Sequence, residues 1–196
     1  MSSQGRVAAS NLRTANPTPA PANVRNIELK ARLTDLDAAR EIAARLATKR
    51  LGVEHQIDTY FAAAHGRLKL RQVNGLTNTL IAYSRADDAA AKPSDYHLVH
   101  VAHPETLKKA LAAALGVTGV VDKRREIFLV DNVRIHLDDV AGLGQFLEFE
   151  AVLTPGITES QGYAQLATLQ ESFGIDAAAL CTGSYRDLLE RTARSG

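Results

Sequence analysis

The sequence predicts an α+β fold in which eight mostly antiparallel strands form the main body and helices flank them. Apolar and polar residues alternate with a period of two over several stretches, which is typical of strands with one buried face. Turn signals at Asn74-Gly75 and Asp131-Asn132 join successive stretches, as they do in antiparallel meanders. Other stretches repeat apolar residues at helical spacing, so helices are expected between and after the strands.

The composition limits the kinds of partner. The chain has 196 residues, of which 45% are hydrophobic and 23% charged, and its formal net charge is +1. These values exclude a wholly disordered chain, a collagen-like chain and a disulfide scaffold. The charge is balanced and the longest weakly polar stretch, residues 110–121, is too short to span a bilayer, so we expect neither nucleic acid nor membrane as a partner. The single cysteine, Cys181, cannot form an internal disulfide, which fits a reducing, cytoplasmic location.

Residues 1–23 are predicted to be a disordered tail. They contain Pro17, Pro19 and Pro21 among small and polar residues, with almost no large apolar side chains. Nothing in this segment can offset the entropy that ordering removes. The alternating pattern begins at Val24, so we expect a single domain over residues 24–194.

The first half of that domain is predicted to hold a strand, a helix and a meander. The strand runs from Val24 to Leu33. Thr34 then offers an N-cap for an amphipathic helix that continues to about Arg50. The meander that follows has strands predicted at residues 53–63, 67–73 and 77–85.

The second half is predicted to hold a strand, a helix and a second meander, followed by two further helices. A strand at residues 96–101 precedes a helix that Pro104 opens and Gly116 closes. The second meander has strands predicted at residues 120–130, 133–140 and 146–153. A helix over residues 158–173, with a capping box of Thr158 and Gln161, and a short terminal helix over residues 184–194 complete the chain.

Charged residues recur on one face of at least five predicted strands. Residues two apart on a strand share a face, and the groups are Glu28 and Lys30; Arg67, Lys69 and Arg71; Lys123 and Arg125; Arg134, His136 and Asp138; Glu148 and Glu150. Two interpretations remain open. An open sheet would turn these charges to water, which is the common arrangement. A closed sheet would enclose them in an interior suited to a metal-bound polyanion, because carboxylates bind Mg²⁺ or Mn²⁺ and basic side chains bind phosphate oxygens.

An ordered series of segments spans roughly residues 24–190: 26–30, 58–61, 67–71, 80–85, 123–125, 134–138, 142–150 and 184–189. This series resembles the CYTH superfamily, the triphosphate tunnel metalloenzymes. The superfamily includes class IV adenylate cyclases, thiamine triphosphatase and inorganic triphosphatases. A single Glu-x-Lys would carry almost no information, whereas the ordered series is specific.

The resemblance implies an antiparallel eight-stranded barrel, or tunnel, that binds a small-molecule triphosphate such as ATP, tripolyphosphate or thiamine triphosphate. It implies that the phosphates are held by Lys30, Lys69, Arg71, Arg85, Lys123, Arg125 and Arg134. It implies that Mg²⁺ or Mn²⁺ is held by Glu28, Glu148 and Glu150, with Asp138 as a further candidate. Catalytic roles are expected for Lys30, Lys123, Arg125 and Asp138. A homodimer is a further expectation from the family.

One position departs from the family signature. The signature is Glu-x-Glu-x-Lys, and Asn26 stands at its first position. Asparagine keeps an oxygen ligand but removes a negative charge, so we expect weak metal binding.

The reaction depends on the attacking group. Residues 134–138 and 142–150 are most similar to class IV adenylate cyclases, which predicts conversion of ATP to cyclic AMP and pyrophosphate. The first alternative is an inorganic or thiamine triphosphatase, in which water attacks the terminal phosphate. The second is a catalytically silent triphosphate-binding protein, which the departure at Asn26 makes conceivable.

Three histidines and the cysteine are interpreted as lying outside the site. His97, His100 and His103 have metal-like spacing, but His97 and His100 face opposite ways on a strand, so all three are expected on the surface or in loops. Cys181 has no activating neighbour in the sequence and is predicted to be inert.

Two short segments have open assignments. Asp58 and Tyr60 either contact substrate at the tunnel mouth or have structural roles. Ser184 is predicted to cap the terminal helix, with Asp187 at the third helical position and Tyr185 packed across one mouth.

Overall fold

The computed structural model describes residues 24–195, so the tail predicted over residues 1–23 lies outside the described residues. Eight strands are described: β1 Val24–Arg32, β2 Lys49–Phe61, β3 Arg67–Val73, β4 Thr77–Arg85, β5 Lys92–His100, β6 Val117–Val130, β7 Val133–Val140 and β8 Gly144–Val152. The described α-helices are α1 Leu36–Leu46, α2 Pro104–Leu115, α3 Glu159–Ser172 and α4 Tyr185–Ser195, and a 3₁₀ turn covers Ala177–Ala179.

The strands form a closed antiparallel barrel in the order β1-β5-β4-β3-β2-β6-β7-β8. The first strand closes it, because β1 pairs with β5 on one side and with β8 on the other. In this register Glu28 lies opposite Lys92 and Glu150, and Lys30 lies opposite Glu148. Closure therefore turns the charged faces inward, and the predicted fold class is confirmed.

The main hydrophobic core lies outside the barrel wall, on the side formed by β1, β7 and β8. The outward residues Ile27, Ile135 and Phe149 are fully buried there under α1 and α3. Gly162 on α3 allows this close packing, since a Cβ at that position would lie 3.0 Å from the Ile27 side chain. Hydrophobic burial thus supports the wall from outside and leaves the interior to polar side chains.

Several element boundaries differ from the prediction. Helix α1 is capped by Asp35 and not by Thr34, because the Asp35 carboxylate accepts hydrogen bonds from the backbone N–H groups of Asp37 and Ala38. The helix ends at Leu46, and β2 begins at Lys49, earlier than expected, because this end of β2 pairs with β6 across a bulge. Gly52, with φ of +104°, accommodates that irregularity.

Strand β5 also begins earlier than predicted, at Lys92, since Pro93 lies opposite Ile27 on β1. The predicted capping box of Thr158 and Gln161 is present at the start of α3. No helix within residues 24–195 is long and apolar enough to cross a membrane.

Candidate active site

The barrel encloses a cavity of about 240 Å³, which we call the barrel cavity. It is lined by side chains that alternate inward along the strands, as the pleat of a β-sheet requires. On β1, Asn26, Glu28 and Lys30 all line it, so residue 26 shares the face of the other two signature positions. Of the residues predicted to bind phosphate or metal, the lining includes Glu28, Lys30, Lys69, Arg71, Arg85, Lys123, Arg125, Arg134, Glu148 and Glu150.

Glu148 lies at the centre of the ionic network. Lys30 Nζ donates to one of its carboxylate oxygens at 2.5 Å, and Arg125 Nη2 donates to the other at 2.5 Å. Burial opposes ionisation of this carboxyl, but the charges of Lys30 and Arg125 outweigh it and hold the pKa of Glu148 well below its ordinary value. The group is therefore a carboxylate at neutral pH.

Asp138 is not among the described carboxylates that are grouped so that they could hold a metal ion. Arg125 donates to both of its oxygens, at 2.7 and 2.6 Å, and the Tyr185 hydroxyl donates to it at 2.6 Å. The side chain is completely buried. Although burial opposes ionisation, the neighbouring Arg125 holds the pKa of Asp138 below its usual range. Its contacts fix the orientation of Arg125, whereas a ligand role would require oxygens turned toward the cavity.

Asp58 likewise fixes the orientation of two basic side chains of β3. It accepts from Lys69 Nζ at 2.8 Å and from Arg71 through two hydrogen bonds of 2.7 and 2.8 Å. Asp58 is itself almost fully buried, so these contacts favour the structural assignment left open above. Tyr60, in contrast, lines the cavity.

Two lysines of the cavity have altered acidity. Burial, together with the charge of Arg71, lowers the pKa of Lys69 to about 8. Burial and the charge of Arg125 hold the pKa of Lys123 well below its ordinary value. Lys123 lies over the ring of Tyr185, with its Nζ 5.1 Å from the ring centroid.

The remaining predicted residues lie toward the edge of the network. Glu28 forms a salt bridge with Arg85, and both side chains are largely buried. Arg134 Nη1 lies 3.6 Å from Glu150, and its side chain is 46% exposed. Arg134 is therefore the cation of the group most open to solvent.

His136, Glu148 and Glu150 form a compact group of metal-ligating side chains. Their ligand atoms lie within 4.8 Å of one another. Burial and the charge of Arg125 lower the pKa of His136, which favours the neutral imidazole. Buried atoms with no hydrogen-bond partner in the described part of the chain include His136 Nδ1 and, on β1, Asn26 Oδ1. Carboxylates beside unpaired nitrogen and oxygen donors fit a divalent cation.

Sequence reasoning placed His136 on a charged face but gave it no role. The signal lies in strand pairing, because His136 is opposite Glu148 in the register of β7 and β8. Spacing along one strand cannot show that register.

One wall of the cavity carries uncharged side chains, which sequence reasoning also missed. Strands β4 and β5 contribute Ile81 opposite Leu98 and Tyr83 opposite Tyr96, and all four line the cavity. In the sequence, such residues are indistinguishable from those of an ordinary core. In the closed barrel they form an apolar and aromatic surface beside the cations.

The residues at the start of α4 also line the cavity. Tyr185 is 4% exposed, packs edge-on against Phe146 with ring centroids 5.0 Å apart, and lies under Lys30, whose Nζ is 4.1 Å from its ring centroid. The predicted cap is present as well, because the Asp187 backbone N–H donates to Ser184 Oγ at 3.3 Å and the Asp187 carboxylate accepts from the Ser184 N–H at 2.8 Å.

The side chains expected to lie outside the site do so. His97, His100 and His103 are exposed, and none of them belongs to the group of metal-ligating side chains among the described residues. Cys181 is buried, and burial raises the pKa of its thiol, which disfavours the reactive thiolate.

Comparison with known proteins agrees with this architecture. Adenylate cyclase CyaB of Aeromonas hydrophila is 28% identical over 179 residues, which cover 85% of this chain and 89% of that protein. The PH1012 protein of Pyrococcus horikoshii is 25% identical, with a TM-score of 0.74 over 84% of this chain and 99% of that one. HpAC1 of Hippeastrum, described as having a dominant triphosphatase activity, shares the fold at 15% identity, with a TM-score of 0.61 over 86% of this chain and 96% of that one. Residues 25–185 match the family model of the CYTH domain, and the chain therefore belongs to the CYTH domain family.

Proposed function

We propose that this protein is a divalent-metal-dependent enzyme that converts ATP to cyclic AMP and pyrophosphate. The observation that carries the proposal is the enclosed barrel cavity, in which basic side chains outnumber carboxylates seven to three among the described lining residues. A cavity of this charge suits a compact polyanion, and basic side chains on several walls suit a chain of phosphates.

Binding of the triphosphate is assigned to the cations Lys30, Lys69, Arg71, Arg85, Arg125 and Arg134, while Lys123, which lines the same cavity, is assigned a different role below. Several of these cations are held in place by buried carboxylates, as Asp58 holds Lys69 and Arg71. Such preorganisation favours catalysis, because the cations need not reorganise when negative charge develops on the departing pyrophosphate.

The carboxylates of Glu148 and Glu150, with Glu28 nearby on β1, would hold the divalent cation. When bound, such an ion supplies charge neutralisation and polarises phosphate oxygens. Lys30 and Arg125 contact Glu148, so phosphates bound to an ion held by Glu148 would lie near both of these cations.

The cyclisation requires a proton acceptor. The ribose 3′-oxygen forms a bond to the α-phosphorus, the bond from that phosphorus to the bridging oxygen breaks, and pyrophosphate leaves. The 3′-hydroxyl proton must pass to a base, and we assign this role to Lys123. It lines the cavity, and its lowered pKa favours the neutral amine.

The uncharged wall favours a nucleotide over inorganic tripolyphosphate. A nucleotide base and ribose can pack against the apolar and aromatic surface formed by Ile81, Leu98, Tyr83 and Tyr96. Inorganic tripolyphosphate has no group that could make such contacts. The Aeromonas relative, named as an adenylate cyclase, supports the same choice. A triphosphatase would need the same cations and metal but would direct water to the terminal phosphate.

Turnover assays separate these functions. ATP, tripolyphosphate and thiamine triphosphate are each incubated with the protein in Mg²⁺, in Mn²⁺ and in excess EDTA. We expect metal-dependent formation of cyclic AMP and pyrophosphate from ATP, and loss of that activity in Arg125→Ala, whereas release of the terminal phosphate would indicate a triphosphatase. Lys109→Ala, which removes an exposed cation on α2, is the matched control and should retain it. No turnover of any substrate would favour a silent binding protein.

A further inference from the structure

We propose that His136 is a direct metal ligand and that the cation site, through this nitrogen, prefers a transition-metal dication such as Mn²⁺ to Mg²⁺. The inference rests on the proposed function for the identity of the barrel cavity as the metal-dependent site. It adds to the proposed carboxylate ligands a histidine, and it assigns the class of metal ion.

The first argument is geometric. His136 Nδ1 lies 3.6 Å from Glu148 Oε2 and 4.0 Å from Glu150 Oε1. Two ligand atoms that are each ~2.1 Å from one ion lie about 3.0 to 4.2 Å apart, depending on the angle between them. Both distances fall within that interval, and the three ligand atoms all lie within 4.8 Å of one another, so one ion can be shared by the imidazole and the two carboxylates once the carboxylates move closer together.

The second argument concerns unpaired atoms. His136 is 3% exposed, and its Nδ1 has no hydrogen-bond partner among residues 24–195. A buried polar atom without a partner is costly, and in native proteins it commonly indicates a missing ion or water. Glu148 and Glu150, by contrast, face basic side chains, Lys30 and Arg125 for the former and Arg134 for the latter. The nitrogen therefore has no hydrogen bond of normal length among the described residues, and Glu148 Oε2 is 3.6 Å away from it.

The third argument is the chemistry of the donors. Magnesium is a hard ion that selects oxygen ligands, whereas imidazole nitrogen suits transition-metal ions. Asn26 lies on the same cavity wall as Glu28 and contributes a neutral oxygen where the family signature has a carboxylate. Fewer carboxylates and an added nitrogen both weaken the case for Mg²⁺, while Mn²⁺ accepts oxygen and nitrogen donors together.

Pulsed electron paramagnetic resonance tests direct ligation without a substitution. Mn²⁺ is added to the protein, and electron spin echo envelope modulation detects nitrogen bonded to the ion. We expect a ¹⁴N coupling that changes to a ¹⁵N pattern when the protein carries ¹⁵N-histidine. Bound Mn²⁺ without any histidine nitrogen coupling overturns the proposal.

A matched pair of variants identifies the histidine. The other five histidines are exposed, and His97→Gln on β5 serves as the control. In His136→Gln the nitrogen coupling should disappear, and the ratio of Mn²⁺ to Mg²⁺ affinity, measured by calorimetry, should fall by about tenfold. His97→Gln should retain both. A coupling that persists in a folded His136→Gln overturns the assignment.

The same samples separate this inference from the proposed function. Metal-dependent ATP turnover without nitrogen coupling would contradict the ligand assignment alone. Histidine coupling in a protein that turns over no triphosphate would support the ligand assignment and contradict the proposed function.

Discussion

Buried carboxylates in the barrel fall into two kinds that differ in what they contact. Asp58 and Asp138 are almost fully buried and bind the cations of neighbouring strands. Glu148 and Glu150 line the cavity and lie near His136. Both kinds contact basic side chains, as Glu148 contacts Lys30 and Arg125, but only the second kind lines the cavity and can also offer ligand oxygens to an ion. The role of each carboxylate therefore depends on whether its side chain lines the cavity.

Asn26 gives a prediction at this scale. Asn26→Glu adds a carboxylate on the face of Glu28, and an added charge at a partly screened site strengthens attraction for a divalent cation by about 1 kcal/mol. The metal concentration for half-maximal activity should therefore fall about fivefold in a titration. Ala113→Glu, which adds the same charge on the exposed face of α2, should leave it unchanged. Identical curves for Asn26→Glu and the native protein would place residue 26 outside the metal shell.

Lys123 gives a second prediction, because arginine is positively charged and cannot accept a proton at ordinary pH. Lys123→Arg should retain ATP binding within a few-fold and reduce cyclic AMP formation by at least about 100-fold, the typical contribution of a general base. Lys109→Arg on the surface is the control. Full activity in Lys123→Arg would eliminate Lys123 as the proton acceptor.

The lowered pKa of Lys69 predicts that triphosphate binding depends on pH. Its pKa of about 8 lies below the ordinary lysine value, so raising the pH through 8 discharges an amine that we assign to phosphate binding. In calorimetry without metal, triphosphate affinity should fall from pH 7 to pH 9, by up to about tenfold per unit above the pKa. Lys69→Arg should flatten this slope because the guanidinium stays charged. An equal slope in the variant would show that other groups cause it.

At the scale of elements, helix α4 contributes the side chain of Tyr185 to the lining of the barrel cavity. Tyr185 combines an edge-on contact to Phe146 with a hydrogen bond to Asp138. Tyr185→Phe keeps the ring and should lower the free energy of unfolding by about 1 kcal/mol. Tyr185→Ala also removes the packing and should lower it by about 3 kcal/mol or more. Urea denaturation measures both, and equal losses would show that the ring contributes no packing.

Most elements could be predicted from local patterns, whereas some of their boundaries could not. The turn at Asn74-Gly75, the proline start of α2 and the capping box of α3 depend on neighbouring residues, so sequence spacing reveals them. The early start of β2 depends instead on pairing with β6 across a bulge, which no short window contains. Thr34 and Asp35 are both good N-cap residues, so the sequence alone does not distinguish them, and in the structure Asp35 caps α1.

For the whole molecule, alternation predicted which residues share a face, but it left open whether that face met water or an enclosed cavity. The pairing of β1 with both β5 and β8 decides this question. The same closure brings Lys30 to Glu148 and Arg125 to Asp138, contacts that join residues distant in sequence. The predicted cations and acids of the candidate site could be named from charge pattern and family resemblance. The partners of Asp138, the environment of His136 and the uncharged wall required the barrel register.

The central claim is that the barrel cavity converts ATP to cyclic AMP. The most direct measurement incubates the protein with ATP and Mn²⁺, stops the reaction with EDTA and separates the products by ion-exchange chromatography. We predict cyclic AMP and pyrophosphate in equal amounts, with neither formed by Arg125→Ala. Formation of ADP and phosphate instead, or of no product at any metal concentration, would contradict the claim.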